Sequence, residues 1–206
     1  MAKDQITYSK LNTNQDITVL NAHISQFKYR LHAHDDFAVG LTLQGVQSFQ
    51  CGNKDYQVHR GELIQINPEQ PHDGFASDTQ GYSYRMVYIP RTYMDDLRPD
   101  QGTPFAFTKT VKYSPRQSRA FLALTQEGDK DRSDVHHMDM LLQDFVADLI
   151  DTEESGEARR EKSNQIHVVE KAIGLMYQGV EGQIDLDDLC KQLGVPSIIS
   201  FAPLKR

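Results

Sequence analysis

Residues 61–72 read GELIQINPEQPH, and residues 32–49 read HAHDDFAVGLTLQGVQSF. In the first stretch a glycine opens a short apolar run, Leu63, Ile64 and Ile66, and Pro68 and Pro71 stop it before His72. A run this short, bounded by turn residues, predicts a buried strand. In the second stretch Phe37 to Leu43 forms another strand. Gln44-Gly45 turns the chain into Val46 to Cys51, and Gly52-Asn53-Lys54-Asp55 is the next turn. Working outward, Ala22 to Arg30 alternates through Ile24, Phe27 and Tyr29 with one slip in phase, and Tyr82 to Ile89 is a longer strand stopped by Pro90. Short strands at this spacing over about residues 15–110, with no helical period between them, predict an antiparallel sandwich or barrel.

Helix takes over after residue 113. Ser114-Pro115-Arg116-Gln117 has an N-cap serine, a proline at the first helical position and a glutamine two further on, the pattern of a capping box ahead of Phe121, Leu122 and Leu124. A stronger helix starts near Ser133 or Asp134. Its Val135, Met138, Leu141, Leu142, Phe145, Val146 and Leu149 recur at three- and four-residue steps as one apolar stripe. The stripe either covers the sheet or pairs with its copy in a second chain, and covering the sheet is the plainer reading. The run 151–164, DTEESGEARREKSN, is charged and nearly free of apolar residues, as a linker is. Beyond it, one helix carries Ile166, Val169, Ile173 and Met176 on one face up to Gly179. Another, capped by Asp185, carries Leu186, Leu189, Cys190 and Leu193 up to Gly194.

With 206 residues, 38% hydrophobic and 25% charged, the chain can bury a core without disulfides, which excludes collagenous and wholly disordered classes. The net charge of −7 repels phosphate on average, so contact with nucleic acid needs a local surface. Cys51 and Cys190 lie far apart with no CxxC spacing and read as reduced thiols. The N-terminal Met1 to Gln5 runs into polar residues without an apolar signal region, and the apolar runs are too short to span a bilayer. A cytoplasmic protein with no membrane partner is expected.

Chemistry gathers on histidine. On a strand, His32 and His34 share a face with Cα atoms roughly 6.5–7 Å apart. If the strand before His72 lies alongside, three imidazoles converge as a polar pocket floor or as ligands of a divalent metal such as zinc. On the strand after Gly81, the interior receives either Tyr82, Tyr84, Met86 and Tyr88, an aromatic pocket, or Ser83, Arg85 and Val87, with a cation for a carboxylate. One bulge inverts that choice. His23, His59, His136, His137 and His167 read as solvated. The sequence has no Ser-His-Asp order, glycine-rich phosphate loop or zinc-protease helix motif.

The His-x-His strand, Gly45, the Gly-Glu-Leu-Ile-Gln-Ile-Asn-Pro strand and the later Pro-x-His resemble the two halves of the cupin barrel signature. The run from His32 to Tyr88, including GYSYRMVYIP at 81–90, resembles the effector-binding domain of AraC-type transcription regulators, and the likeness extends over about residues 20–200. The resemblance implies an α+β chain: a cupin-like antiparallel β-barrel (double-stranded β-helix) at 1–112 and a helical dimerisation or packing segment at 113–150. A linker follows at 151–164, then an incomplete helix-turn-helix at 165–206. It implies a small-molecule effector, a sugar or organic acid, held near His32, His34, His72, Tyr84, Met86 and Tyr88, a homodimer, and no catalysis. Metal-binding cupins usually carry a glutamate ligand where this chain has Ala38, so a metal here would rest on His32, His34 and His72 alone. A small metal-dependent cupin enzyme is the alternative.

The stretch from Ile184 to Ser197 resembles the first helix-turn-helix of the same family. A recognition helix should continue from Ser197, but Pro203 interrupts it and no second unit follows. Ser197, Lys205 and Arg206 neutralise few phosphates. DNA is therefore expected as a partner only of an intact full-length relative. A truncated or frame-disrupted gene, or an isolated domain, is the expected reason for the tail, and the DNA-binding part is expected to be inactive alone.

Overall fold

Short antiparallel strands form wherever the sequence alternates or runs apolar between turn residues. The computed structural model describes residues 3–98, 103–130 and 132–155. In chain order these are β1 (Gln5–Lys10), β2 (Thr18–Ile24), β3 (Tyr29–His32), β4 (Phe37–Gln44), β5 (Val46–Cys51), β6 (Lys54–His59), β7 (Glu62–Ile66), β8 (His72–Ala76) and β9 (Tyr82–Ile89), then α1 (Arg91–Asp96), β10 (Val111–Tyr113) and α2 (Pro115–Gly128). A further helix, α3, covers 135–155. Chain contacts divide the protein into two units, Met1–Glu153 and Glu154–Arg206. Among the described residues no helix is long and apolar enough to cross a membrane.

Hydrogen bonding sorts the strands into a six-stranded sheet, in the order β1-β2-β9-β4-β7-β10, and a four-stranded sheet, in the order β3-β8-β5-β6. The cupin-like antiparallel fold is as expected, but the barrel does not close: β1, β10, β3 and β6 are left as edges. β1, an edge of the larger sheet, is exposed along its whole length. The chain changes sheets at a tight corner, where Gly45 takes φ 74° and a Cβ in its place would lie 2.2 Å from the oxygen of Gly81. Only glycine fits there.

Ala22 to Arg30 is two strands rather than one. The amides of Ser25, Gln26 and Phe27 all donate to the Asp4 carboxylate, at 2.5, 3.1 and 2.7 Å, and this cradle bends the chain from β2 in one sheet to β3 in the other. These donors pull the Asp4 carboxyl down to about 2.

The two faces of the larger sheet serve different cores. Between the sheets pack Leu20, Ile24, Phe49, Val58, Ile64 and Ile66 with Tyr82 and Tyr84. On the opposite face Val39, Leu41, Leu63 and Val87 pack against Phe121, Leu142 and Phe145 of the helices. This explains why β4 and β7 carry apolar residues on both faces: both sides are covered. Met138, Leu142, Phe145, Val146 and Leu149 are buried in this second core, so the stripe of α3 covers the sheet, while Met140 stays exposed.

Ser114 caps α2 as expected, accepting from the amide of Gln117 at 3.4 Å with Pro115 at the first helical position. The reciprocal half of the box does not form. Gln117 instead reaches α3, donating to Asp148 O and Thr152 Oγ1. The first residues of the expected linker, 151–155, are helical, because α3 continues through 155. Glu153 holds it there: its carboxylate is buried, accepts from Thr108 N and Oγ1 at 3.1 and 2.7 Å, and lies 3.7 Å from Lys112 Nζ.

Candidate functional site

His32 ends β3 and pairs directly with His72, the first residue of β8. His34 lies two residues past the end of β3, in the turn to β4, and not on a strand as expected. The three rings still gather: centroids are 4.3 Å apart for His32 and His72, 5.0 Å for His34 and His72, and 6.5 Å for His32 and His34. Tyr88 closes the group edge-on to His34 at 5.3 Å.

The turn after β7 sets this arrangement. Asn67-Pro68-Glu69-Gln70 closes through Gln70 N–H to Asn67 O at 3.2 Å, with Pro68 second and a positive φ of 60° at Glu69 third, the pattern of a type II turn. The amide of Glu69 donates to His34 O at 2.8 Å. Arg91 spans both segments, donating to Asp35 O at 2.9 Å and pairing with Glu69 at 3.0 Å.

Each imidazole turns Nδ1 to a backbone carbonyl: His32 to Arg30 O at 2.8 Å, His34 to Asp36 O at 2.7 Å and His72 to Gln70 O at 2.9 Å. A carbonyl only accepts, so Nδ1 carries the proton and each Nε2 is left as a lone-pair acceptor. Burial pushes His72 down to about 4 and lowers His34, so both are neutral near pH 7.

Orientation by a backbone carbonyl is how metal-ligating histidines are held. The rings do not go further toward a metal centre: among the described residues no group of three or more His, Cys, Asp or Glu is placed to hold an ion. The four-centre set of a metal cupin is also short of its carboxylate, since Ala38 is fully buried in the sheet at that position. In this structure His32, His34 and His72 form a ring cluster.

The cluster borders a cavity of about 60 Å³ between the sheets. Its lining includes His32, His72, Tyr84, Met86 and Tyr88 from the expected set, while His34 stands outside it. The parity of β9 is thus decided: Tyr84, Met86 and Tyr88 face the cavity, and Arg85 on the other face bonds Asn21 and Asp129. The rest of the wall was not singled out as a site by the sequence: Tyr8, Tyr29, Gln47, Phe49 and Asp73, with the aliphatic Leu20, Ile64 and Ile66. A signal existed for Gln47, which alternates in phase with the buried Phe49 and Cys51 and so puts an amide on an apolar face.

The walls combine aromatic faces with polar tips. Tyr84 donates to the Tyr29 hydroxyl at 3.1 Å, and Gln47 Oε1 and the Tyr82 hydroxyl are buried without a hydrogen-bond partner. Burial raises the phenols of Tyr82, Tyr84 and Tyr88 well above their usual range, so they titrate nowhere near neutrality. His23 departs from its solvated reading: it is half-buried and bonds the Ser83 hydroxyl at 2.9 Å. His59, His136 and His137 are exposed. His167 and the candidate DNA-contacting Ser197, Lys205 and Arg206 lie outside the described residues.

A family model, the AraC-like ligand binding domain, matches residues 14–164. A comparison with curated protein sequences gives no match. Among solved structures, a variant of apo ToxT from Vibrio cholerae is similar over 91% of this chain and 74% of its own, at 13% identity and a TM-score of 0.51, a likeness of fold. An rmlc-like cupin family protein with a double-stranded β-helix fold from Methanocaldococcus jannaschii is similar over 42% of this chain and 81% of its own, at 8% identity and a TM-score of 0.37.

Proposed function

The chain belongs to the AraC-like ligand binding domain family, and from that premise we propose that it is the small-molecule-sensing part of an AraC-type transcription regulator, with the cavity between its sheets as the receptor. The observation that carries this reading is an aromatic cavity edged by His32 and the neutral His72, in which Gln47 Oε1 is buried without a partner. A buried polar atom left unpaired costs about 1–3 kcal/mol, which a ligand that satisfies it returns. The sugars and organic acids suggested by the resemblance are the starting set of effectors.

Signal would pass through the thickness of one sheet. On β9, Met86 lines the cavity while its neighbour Val87 packs in the core beneath the helices. A ligand that fits one seating of β9 and β4 better than another shifts the population by its differential affinity, and α2 and α3 shift with it. In the sequence, α3 leads toward residues 165–206, the incomplete helix-turn-helix of this reading. Ser197, Lys205 and Arg206 would face DNA there, a weak contact set that an intact relative would extend. Such a protein senses and does not catalyse. A homodimer belongs to the same proposal and rests on the resemblance. The buried stripe of α3 leaves a partner only the face that carries Met140, and sedimentation of the full chain tests that association.

A thermal-shift screen across sugars, organic acids, amines and aromatic compounds tests the receptor. A true effector at one hundred times its Kd adds about 2.7 kcal/mol to the folded state, several degrees in Tm for a chain of this size. Should no compound of any class stabilise the chain while added metal turns over a substrate, the enzyme alternative replaces this reading.

A further inference from the structure

Resting on the cavity as a receptor, we infer that its ligand is a small organic cation, an alkylammonium compound whose N–H groups meet the lone pairs of the wall, rather than a carboxylate or a sugar ring. The chemistry of the lining carries this. His32 and His72 each commit Nδ1–H to a backbone carbonyl and keep Nε2 as an acceptor. Gln47 Oε1 is a third acceptor, buried and unpartnered. Tyr84 already donates its hydroxyl proton to Tyr29. No lysine or arginine is among the described residues that line the cavity.

A carboxylate or phosphate entering this site meets like charge at Asp73, and among the lining side chains only tyrosine hydroxyls and the Gln47 amide could donate to it. It also loses its hydration with no cation to compensate. An ammonium group is the converse, with donors and no acceptor, so its N–H groups find partners and no ligand atom is left unpaired. The faces of Tyr29, Phe49, Tyr84 and Tyr88 add the negative quadrupole that holds a cation over an aromatic ring. A chain of net charge −7 draws such a ligand in and repels anions.

Size argues the same way. A cavity of about 60 Å³ is well short of the roughly 150 Å³ that takes a benzene ring. The head of an alkylammonium enters it with the sheets as they stand, whereas a hexose ring requires them to part.

The test uses the full chain, ¹⁵N-labelled, at pH 7 and constant ionic strength. Ethylammonium chloride, sodium acetate and glucose are titrated separately, and the His72 Nε2 resonance and Tm are read in each arm. Ethylammonium is expected to move the resonance saturably and to raise Tm, with acetate and glucose doing neither. Two variants move affinity in opposite directions. Gln47→Leu removes the acceptor and weakens ethylammonium by at least about tenfold, and Gln47→Glu, of the same shape but anionic, tightens it. Each variant is first shown to be folded by its amide spectrum without ligand. Saturable binding of acetate or glucose in place of ethylammonium overturns the cation class and leaves the receptor reading standing. Ethylammonium binding that ignores both Gln47 variants overturns it as well. Silence in all three arms also overturns it, and the receptor then stands or falls on its own broader screen.

Discussion

His32 and His72 face each other as cross-strand partners at the end of the β3–β8 ladder, with ring centroids 4.3 Å apart and each Nδ1 turned to the carbonyl two residues before it. Two imidazolium ions could not share that spacing without repulsion, and His34 adds a third ring 5.0 Å from His72. Burial is the larger influence. It holds the His72 ring far below its usual 6.5, at about 4. Burial therefore keeps His34 and His72 neutral, and the carbonyls of Arg30, Asp36 and Gln70 fix which nitrogen of each ring is turned away from the backbone.

Stability should follow from that neutrality as pH falls. The folded pKa of His72, about 4, lies below its unfolded value of 6.5, so in acid the unfolded chain takes up the proton first. The contribution is complete above about pH 6.5, declines down to about pH 4 and amounts to at most about 3 kcal/mol. His34, shifted the same way by burial, adds to the decline. The Asp4 carboxylate, with its pKa held at about 2, loses its contribution only further into acid, from about 4 downward. Urea unfolding at pH 7.5 and 4.5 should show the loss in the wild type and a smaller one in His72→Gln. Equal losses in both would show that His72 is not the group responsible.

A second expectation concerns space. Gly40 sits opposite Met86 in the β4–β9 ladder, and a Cβ at Gly40 would lie 2.8 Å from Met86 Sδ. Met86 lines the cavity, so Gly40→Ala turns its flexible side chain further into the ligand space. Overpacking of this kind costs about 1–3 kcal/mol. Calorimetric titration should show binding lost in Gly40→Ala and regained when Met86→Ala is added. Undiminished binding in the single variant would place the ligand elsewhere.

How much of this was legible in the sequence depends on what each residue answers to. The turns, strand ends and helix cap are local decisions, and Gly45, Gly52, Pro90 and Ser114 announced them. β1 was missed: Ile6 and Tyr8 alternate with polar neighbours, but the strand buries nothing and so carries little apolar signal. The parity of β9 was not legible, because it is set by pairing to β2 and β4 on either side. The histidine cluster was half legible. The three residues could be named, but His34 reaches the others from a turn rather than a strand, through Glu69 and Arg91. Asp4 and Glu153 were invisible because their partners, the amides of residues 25–27 and the Lys112 ammonium, are distant in sequence.

The corner between the sheets gives a graded test. A Cβ at Gly45 would meet Gly81 O at 2.2 Å, and one at Gly81 would meet Ile24 O at 2.4 Å, with φ of 74° and 78°. Backbone cannot step aside as a side chain can, so Gly45→Ala and Gly81→Ala should each cost about 3 kcal/mol or more. Gly52, in the β5–β6 hairpin at φ 59°, has nothing within 4 Å, and its alanine variant should lose only about 1 kcal/mol. Chemical denaturation of the three variants checks the order. Similar losses in all three would mean that φ alone, and not the close approach, decides the corner.

The last expectation concerns how α3 is held to the sheet. Glu153 and the Lys112 side chain are both largely buried, at 6% and 14% exposure, with 3.7 Å between the charges. Thr108 supplies two hydrogen bonds to the carboxylate, whereas Lys112 Nζ has no hydrogen-bond partner. The two single variants should therefore differ. Glu153→Ala strands a buried ammonium and frees the Thr108 donors, a loss of about 3–5 kcal/mol. Lys112→Met removes the poorly satisfied charge and keeps the apolar stem, and Glu153 retains its Thr108 bonds, so its loss should be about 1–2 kcal/mol. Adding Lys112→Met to Glu153→Ala should recover part of the larger loss, because no stranded charge remains. A double-mutant cycle in urea measures that coupling. If the two losses simply add, the ion pair has no part in seating α3, and the apolar contacts of Phe145 and Leu149 hold it alone.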